Sequence, residues 1–314
     1  MVPMNEQIIY FESNYHVVSD IHTSPEGDNI FIGDRDNRAC RYCGKKTSEV
    51  TFKKIAHTVP EFIGNKKIIS YDECDGCNTK FSRIIEDHFS KYLGAQRTIA
   101  QVRGKKGVPS YKSIKKKSRM DMDENGIIIK SYEDDLLCEI DEENHQLKIL
   151  VNYQPYIPAA VFKCLAKIAL STLPVGKLKY FQETIKWILD ETHDKNMFPY
   201  SPLMSLHTFV PGPHPHRGIK LLNLERKNDS LKVPYLIGIV AFANFIYQIN
   251  VPSIEKDKHL FGSNIDISYF PTPFDVNNIY GDVKRTVLDL SSYERTENTT
   301  RPVTMRFDSI EKSR

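Results

Sequence analysis

The sequence lacks the features that mark secreted, membrane-spanning and repetitive proteins. Its first residues have neither a basic start nor an apolar run long enough for secretion, so a secretory signal is not expected. The most apolar segment, residues 235–249, is interrupted by Asn244 and Gln248 and is too short and too polar to span a bilayer. No internal repeat is present. We therefore expect a soluble, cytoplasmic protein without a membrane partner.

The chain also has few cysteines and a small net charge. The 314 residues include six cysteines and carry a formal net charge of +3. So few cysteines in so long a chain do not suggest the disulfide framework of a small secreted domain. A net charge this small does not by itself indicate nucleic-acid binding. With 40% hydrophobic and 26% charged residues, the chain can bury a core and stay in solution.

Four of the six cysteines form two Cys-x-x-Cys pairs, Cys40/Cys43 and Cys74/Cys77. This spacing predicts a tetrahedral structural zinc site with four thiolate ligands. Such a site is coordinatively closed, so the zinc itself would do no chemistry. Its role would be to hold together a segment that is too small to have a core of its own.

The residues between and after the cysteine pairs predict the order strand, loop, strand, helix. Residues 50–55 and 68–71 are predicted as strands, and residues 64–66 as a turn between them. From Asn78 the apolar residues recur with a helical period. His57, at the end of the first strand, is then expected to lie opposite the start of the helix.

His57 is the reactive candidate in this segment. A neutral imidazole can take a proton from water. A divalent ion held by oxygen ligands on the facing helix can polarise a phosphate and stabilise the leaving oxyanion. Together these two parts perform phosphodiester hydrolysis when positive charge is available for the remaining phosphates. The alternative is a histidine that only packs against the zinc site.

A basic stretch follows the predicted helix. Residues 94–119 contain nine lysines and arginines and no acidic residue. The alternatives are a solvated linker and a strip that contacts phosphates. We favour the second because the stretch directly follows the helix. The predicted nucleic-acid contacts are Arg97, Arg103, Lys105, Lys106 and Lys112.

The segment around the cysteines resembles the HNH endonucleases of the ββα-metal, treble-clef type. It is similar in particular to the bacterial set in which an Ala-His pair, here ending in His57, is followed by Pro-Glu and then Gly-Asn. The resemblance implies that His57 is the general base, that Asn78 is a ligand of a catalytic Mg²⁺ or Mn²⁺, and that the four cysteines bind structural zinc. The implied activity is hydrolysis of phosphodiester bonds in DNA, with RNA left open as a substrate.

Two positions depart from the family pattern. Ala56 stands where many members have an acidic metal ligand, and Ile69 stands where an asparagine usually orients the histidine. Glu61, Asp72, Glu86 and His88 are the candidates to complete the catalytic metal site, and Glu61 and Glu86 are preferred. Asn65 is predicted to make the turn, although it could instead orient His57. If no carboxylate reaches the metal, the module would bind nucleic acid without cutting it.

The remainder of the chain predicts a second, larger domain. The charge changes sign after residue 120, and two apolar helices at 158–173 and 178–189 precede a series of strands. We expect helices packed on an antiparallel sheet, giving an α+β protein. Residues 291–314 are polar and are predicted to form a loose tail.

These patterns divide the chain into four predicted parts. They are N-terminal strands and extension at 1–36, a zinc-bound nuclease module at 37–93, a basic connector at 94–120, and a C-terminal α+β domain of unknown role at 121–314. The leading function is a metal-dependent endonuclease. The alternatives are a zinc-stabilised nucleic-acid-binding or adaptor protein without catalysis, and a nuclease effector regulated by its C-terminal domain in bacterial defence. A homodimer is left open.

Overall fold

The computed structural model describes residues 3–123, 126–193, 203–263, 265, 267–276, 278–307 and 309–310. It contains helices and mainly antiparallel sheets, so the predicted α+β class is confirmed. The α-helices are α1 (Met4–Asn14), α2 (Asp75–Phe81), α3 (Asp87–Leu93), α4 (Gln96–Ile99), α5 (Pro158–Ser171), α6 (Gln182–Leu189) and α7 (Ile254–Asp257). A π-helical turn, Ser82–Glu86, joins α2 to α3, and short 3-10 helices cover Glu61–Ile63, Val175–Phe181, Lys258–Leu260 and Pro273–Asp275.

Fifteen strands are found in the described part of the chain. They are β1 (Tyr15–His22), β2 (Ile30–Ile32), β3 (Ala56–His57), β4 (Ile68–Ser70), β5 (Tyr111–Lys112), β6 (Arg119–Asp123), β7 (Gly126–Lys130), β8 (Cys138–Asp141), β9 (Gln146–Tyr153), β10 (Met204–Phe209), β11 (His216–Arg226), β12 (Leu236–Ala243), β13 (Phe245–Asn250), β14 (Lys284–Asp289) and β15 (Thr299–Arg306). The largest sheet has the order β1-β11-β12-β13-β10-β14. Three small sheets have the orders β2-β4-β3, β5-β6-β7 and β15-β9-β8.

Helix α5 is the centre of the molecule, because every one of its 14 residues is buried. It packs on the large sheet on one side. On the other side it packs on the π-helical turn Ser82–Glu86 and on α3, which belong to the cysteine-containing segment 37–93, called the zinc segment below. Gly238 in β12 allows the close approach to the sheet, since a Cβ there would lie 2.6 Å from the Cβ of Ala169. The helix therefore positions the zinc segment against the C-terminal half.

One buried cluster joins the two halves. It includes Phe81 and Phe89 from the zinc segment together with Phe162, Trp187 and Tyr247 from the C-terminal half. The Phe89 ring meets the Tyr247 ring edge to face, with centroids 5.6 Å apart. Burial of large aromatic side chains is a main source of folding free energy. The zinc segment and the C-terminal half therefore stabilise each other.

The strand predicted within the first residues is wrong. Residues 7–11 lie inside helix α1, whose buried residues are Gln7 and Phe11. These two residues are spaced by four, which places them on one face of a helix. The β-branched pair Ile8 and Ile9 favours a strand locally, but packing of the Gln7/Phe11 face decides the structure.

Residues 50–55 do not form the predicted strand either. The carboxylate of Asp75 accepts hydrogen bonds from the backbone N–H of Lys53, at 3.0 Å, and of Lys54, at 2.8 Å. It also accepts one from the Thr51 hydroxyl at 2.5 Å. The amides that a strand ladder would use are thus bonded to a side chain at the start of α2.

Two further predictions need correction. Residues 291–314 are not simply a loose tail, because β15 pairs antiparallel with β9 along its whole length. Residues 308 and 311–314 of that segment lie outside the described residues. Residues 236–249, which the sequence predicts as one strand, form two, since the chain turns at Asn244, whose side-chain amide donates to the carbonyls of Val210 and Gly212. No helix in the described ranges has both the length and the apolar character needed to cross a membrane.

Candidate active site

The four cysteines converge at one point. Their sulfur atoms all lie within 4.8 Å of one another, and Cys43 Sγ is 3.8 Å from Cys74 Sγ. The first pair lies on a tight turn that ends at Gly44, a residue with a φ of 74° that favours glycine. The second pair lies at the start of α2, where the sulfur of Cys74 accepts a hydrogen bond from the N–H of Cys77. This arrangement fits four-thiolate coordination of zinc.

The electrostatics of the thiols agree with a cation site. A hydrogen bond from Cys77 lowers the pKa of Cys40 to about 5, although burial opposes the shift. The same hydrogen bond, together with burial, raises the pKa of Cys77. The thiolate form is therefore favoured at Cys40 and disfavoured at Cys77. A bound metal ion would allow all four thiols to ionise.

His57 lies on β3, the edge strand next to β4. In this antiparallel pair His57 is opposite Ile69 and Ala56 is opposite Ser70. Ala56 and Thr58 are buried, so the alternation of side chains along a strand turns the imidazole of His57 to the outer face. The side chain of His57 is 20% exposed. The strand thus presents the imidazole to solvent from a fixed position.

A cleft of about 470 Å³ lies beside His57. It is formed between β3, the 3-10 turn that begins at Glu61, and the helix that begins with α2. The predicted residues His57, Glu61, Asn78 and Glu86 all line it, and the structure therefore brings these four together. Its other lining residues are Lys54, Ile55, Pro60, Thr79, Ser82 and Arg83.

The two ring nitrogens of His57 have different surroundings. Nε2 lies 3.8 Å from Oε1 of Glu61. Nδ1 is buried and, within the described part of the chain, has no hydrogen-bond partner. Burial lowers the pKa of His57, Glu61 opposes this shift, and the charges of Lys167 and Lys105 add to it. The imidazole is therefore neutral at pH 7, with one nitrogen available to accept a proton.

Asn78 and Glu86 reach the cleft from one continuous helix. Asn78 is in the first turn of α2, where its N–H donates to the carbonyl of Cys74 at 2.9 Å. Glu86 ends the π-helical turn Ser82–Glu86. Such a turn contains an extra residue relative to an α-helix and is frequent at functional sites. Burial raises the pKa of Glu86, Lys167 lowers it, and Glu61 raises it further.

Lys167 contacts the site from the protein interior. The sequence analysis did not single out this residue. This residue of α5 is fully buried, and its Nζ lies 3.0 Å from Glu73 Oε2 and 3.8 Å from Glu86 Oε1. The same ammonium donates to the backbone carbonyls of His57 and Thr58, each at 3.4 Å. It therefore connects β3, the residue before Cys74, and the cleft carboxylate. A lysine within an otherwise apolar helical pattern was the signal that could have found it.

The side chains of Lys167 and Glu73 form an ion pair that is fully buried. Burial raises the pKa of Glu73 to about 7, while the charge and hydrogen bond of Lys167 oppose the shift. Burial alone would lower the pKa of Lys167, but Glu73, Tyr42 and Glu86 outweigh it and the net shift is upward. Lys167 thus favours the charged form of Glu73, and Glu73 favours the charged form of Lys167.

Asn65 closes the turn between β3 and β4. Its side-chain amide donates to the carbonyls of Val59 and Ile68, and its Oδ1 accepts from the N–H of Lys67 and Ile68. These four bonds satisfy the side chain with backbone partners. The prediction that Asn65 makes the turn is therefore confirmed, and the orientation of His57 depends on other groups.

The five predicted nucleic-acid contacts differ in their environments. Arg97 is partly buried, with its guanidinium 5.4 Å from the Phe62 ring centroid and a hydrogen bond to the Ser90 hydroxyl. Burial lowers its pKa. Lys105 lies close enough to His57 to influence its pKa. Arg103, Lys105, Lys106 and Lys112 are exposed. Lys112 belongs to the separate β5-β6-β7 sheet.

Comparison with known proteins agrees with this geometry. Residues 40–93 match the family model described as HNH endonuclease. Residues 40–93, called the HNH domain below, are similar to this family. The match begins at Cys40 and ends at Leu93, where α3 ends. The predicted resemblance is therefore confirmed, and it supports a nuclease-type enzyme that binds metal and acts on nucleic acid.

No curated protein and no solved structure matches this chain. The family match covers the cysteines, His57 and the helix with Asn78 and Glu86. It covers neither α5 nor the large sheet. The similarity is thus confined to residues 40–93, and Lys167 reaches this part from outside the matched segment.

Proposed function

We propose that this chain is a Mg²⁺- or Mn²⁺-dependent endonuclease that hydrolyses phosphodiester bonds of DNA. The carrying observation is the cleft in which His57, Asn78, Glu61 and Glu86 meet beside the four-cysteine site. The HNH family match supports the same reaction class. General-base chemistry and oxygen ligands for a hard cation are the two requirements of metal-assisted phosphodiester hydrolysis.

His57 acts as the general base in this proposal. Its ring lines the cleft and its side chain is 20% exposed, so a water molecule in the cleft can donate to the imidazole. The water gives its proton to the neutral imidazole while its oxygen attacks phosphorus, and the bond from phosphorus to the leaving sugar oxygen breaks. Glu61, 3.8 Å from Nε2, orients the ring and stabilises the imidazolium that forms.

The remaining cleft residues fit a divalent ion. Asn78 and one of the carboxylates Glu61 and Glu86 supply oxygen ligands of the kind that Mg²⁺ and Mn²⁺ prefer. When bound, such an ion supplies Lewis-acid stabilisation of the phosphate and of the leaving oxygen. Lys54 and Arg83 line the same cleft and attract the neighbouring phosphates.

A plasmid-nicking assay tests this proposal. Wild-type protein, His57→Ala and His22→Ala would each be incubated with supercoiled DNA and Mg²⁺, Mn²⁺ or EDTA. His22 is an exposed histidine at the end of β1 and serves as the matched control. We expect metal-dependent nicking by the wild type and by His22→Ala, and a loss of at least about 100-fold in His57→Ala. Equal nicking by all three proteins would contradict the base role of His57.

A second candidate function is nucleic-acid binding without cleavage. It is favoured by Ala56, which is buried where many HNH proteins have an acidic metal ligand. A gel-shift experiment beside the nicking assay separates the two functions. Retained DNA binding with no nicking in any metal would support the binding module and overturn the nuclease.

A further inference from the structure

The small sheet of the HNH region aligns a surface aromatic residue with His57. Phe31 in β2 is opposite Ile69 in β4, and Ile69 is opposite His57 in β3. Residues that face each other across neighbouring strands project from the same side of a sheet. Ala56, Ile68 and Ser70 are buried on the other side. The sheet therefore presents His57 and Phe31 on a single outer face.

Phe31 is part of a layered stack on that face. Its ring lies parallel to the ring of Tyr71, with an interplanar angle of 3° and centroids 5.1 Å apart. The guanidinium carbon of Arg38 is 4.9 Å from the centroid of the Tyr71 ring. Arg38 is itself fixed, because it donates to the carbonyls of Phe52 and Arg35. The stack is thus held in place, and Phe31 remains 50% exposed.

The separation of Phe31 from His57 suits a nucleic-acid strand. Neighbouring strands lie roughly 4.8 Å apart, so the two residues are about 10 Å apart across the sheet. Stacked bases follow one another every ~3.4 Å along one strand. A strand with its phosphate at His57 can therefore place a nearby base at Phe31.

We propose that Phe31, supported by Tyr71 and Arg38, stacks against an unpaired base of a single-stranded nucleic acid. This inference rests on the proposed function, since it places the scissile phosphate at His57. Every base has a flat π-face that stacks on an aromatic ring, and guanidinium groups add to such platforms. In a duplex the base faces are already covered by neighbouring pairs. The stack therefore selects single-stranded segments beside the cleavage site.

The simpler interpretation is that Phe31 and Tyr71 only stabilise the sheet, as aromatic pairs on neighbouring strands do. That role leaves the half-exposed face of Phe31 without a function. It predicts a loss of thermal stability when Phe31 is changed, and no selective effect on binding. The two interpretations are therefore separated by measuring binding and stability on the same variants.

Binding is measured by fluorescence anisotropy in a His57→Ala background, where the oligonucleotide stays intact. Phe31→Leu removes the aromatic face, Phe31→Trp keeps it, and Tyr280→Leu removes an exposed aromatic side chain elsewhere. The probes are single-stranded DNA, single-stranded RNA and duplex DNA of equal length. We expect Phe31→Leu to weaken single-strand binding about tenfold or more, with little change for the duplex. Phe31→Trp and Tyr280→Leu should bind like the parent, and the RNA arm shows which sugar is accepted.

A series of oligonucleotides, each with one abasic position, then locates the stacked base. One position should weaken binding to the parent protein and have no effect on Phe31→Leu. Unchanged single-strand affinity in Phe31→Leu, with only a lower melting temperature, would overturn the stacking site. Absence of single-strand binding by the parent would overturn it as well.

The outcomes for the stacking site and the nuclease are distinguishable. If nicking depends on metal and on His57 but Phe31→Leu does not change binding, the stacking site is overturned and the nuclease is retained. Selective single-strand binding that requires Phe31, without nicking in any metal, supports the stacking site and overturns the nuclease.

Discussion

At the scale of single residues, His57 combines two properties that a general base needs. Its imidazole is neutral at pH 7 because burial lowers its pKa, and its partly exposed ring lines an open cleft. Sequence spacing predicted His57 because a Cys-x-x-Cys pair on each side marks it locally. It did not predict that Glu61 would stand next to the ring, because that contact depends on the 3-10 turn after Pro60.

The lowered pKa of His57 has a direct consequence for pH dependence. The base is protonated only when the pH falls through a value below the ordinary histidine value of 6.5. We expect the nicking rate to be insensitive to His57 titration near pH 7 and to fall in the acid range below about 6.5. Rates measured under single-turnover conditions between pH 5 and 8 test this. A rate that already halves above pH 7 as the pH is lowered would contradict it.

Lys105 should influence the pH at which the nicking rate falls. Its charge lowers the pKa of His57, so Lys105→Ala should raise that pKa and move the fall in rate to higher pH. Lys106→Ala is the matched control, because Lys106 is also exposed and basic in the same loop. The same pH–rate profile measures both variants. An equal shift in both would show that general loss of positive charge, rather than Lys105, is responsible.

At the scale of secondary-structure elements, α5 and the helix of the HNH domain are joined by charge as well as by apolar packing. Arg41, inside the first cysteine pair, donates to the carbonyls of Leu170 and Leu173 at the end of α5 and pairs with Asp72. Cations at a helix C-terminus satisfy free carbonyls and complement the helix dipole. The turn that contains Cys40 and Cys43 therefore also caps the C-terminal end of α5.

Replacing Lys167 by methionine should be strongly destabilising. The change leaves the carboxylate of Glu73 buried without its cation, and breaking such a pair costs roughly 3–5 kcal/mol of the free energy of unfolding. Chemical denaturation measures this free energy. The double variant Lys167→Met with Glu73→Gln should recover part of the loss, because no buried charge then remains. A single variant as stable as the wild type would contradict the assigned role of the pair.

The elements that were predicted correctly are those whose pattern is local. Helix α5 followed from its apolar period, and β4 from its short apolar run. Helix α1, the irregular segment 50–55 and strand β15 were missed. Each depends on a distant partner: the face containing Phe11 packs on other elements, Asp75 bonds the 50–55 backbone, and β15 pairs with β9. Such partners are not visible in a sequence window.

At the scale of the whole molecule, the HNH domain shares its buried core with the C-terminal half. Removal of zinc should therefore affect more than residues 40–93. We expect a strong chelator, or Cys40→Ser, to lower the melting temperature of the entire chain and to abolish nicking. Zinc content measured by mass spectrometry, beside calorimetry, tests this. An unchanged melting temperature after complete zinc loss would contradict a structural role. Cys138→Ser, outside the cluster, is the matched control.

The same shared core predicts that the HNH domain does not function by itself. Residues 37–93 expressed alone would expose Phe89 and leave Glu73 without Lys167. We expect this fragment to show no cooperative unfolding and no nicking, even with zinc and Mg²⁺. Calorimetry and the plasmid assay of the fragment beside the full chain measure both properties. A folded, active fragment would show that the C-terminal half is dispensable.

The ion pair between Glu73 and Lys167 has a consequence for the order of synthesis. The ribosome completes the zinc cysteines and His57 long before it reaches Pro158, where α5 begins. Until α5 emerges, Glu73 has no cation and the carbonyls of His57 and Thr58 lack their donor. Contacts between segments so far apart in the chain form late in folding. We therefore expect the cleft to reach its final shape only after α5 has been made.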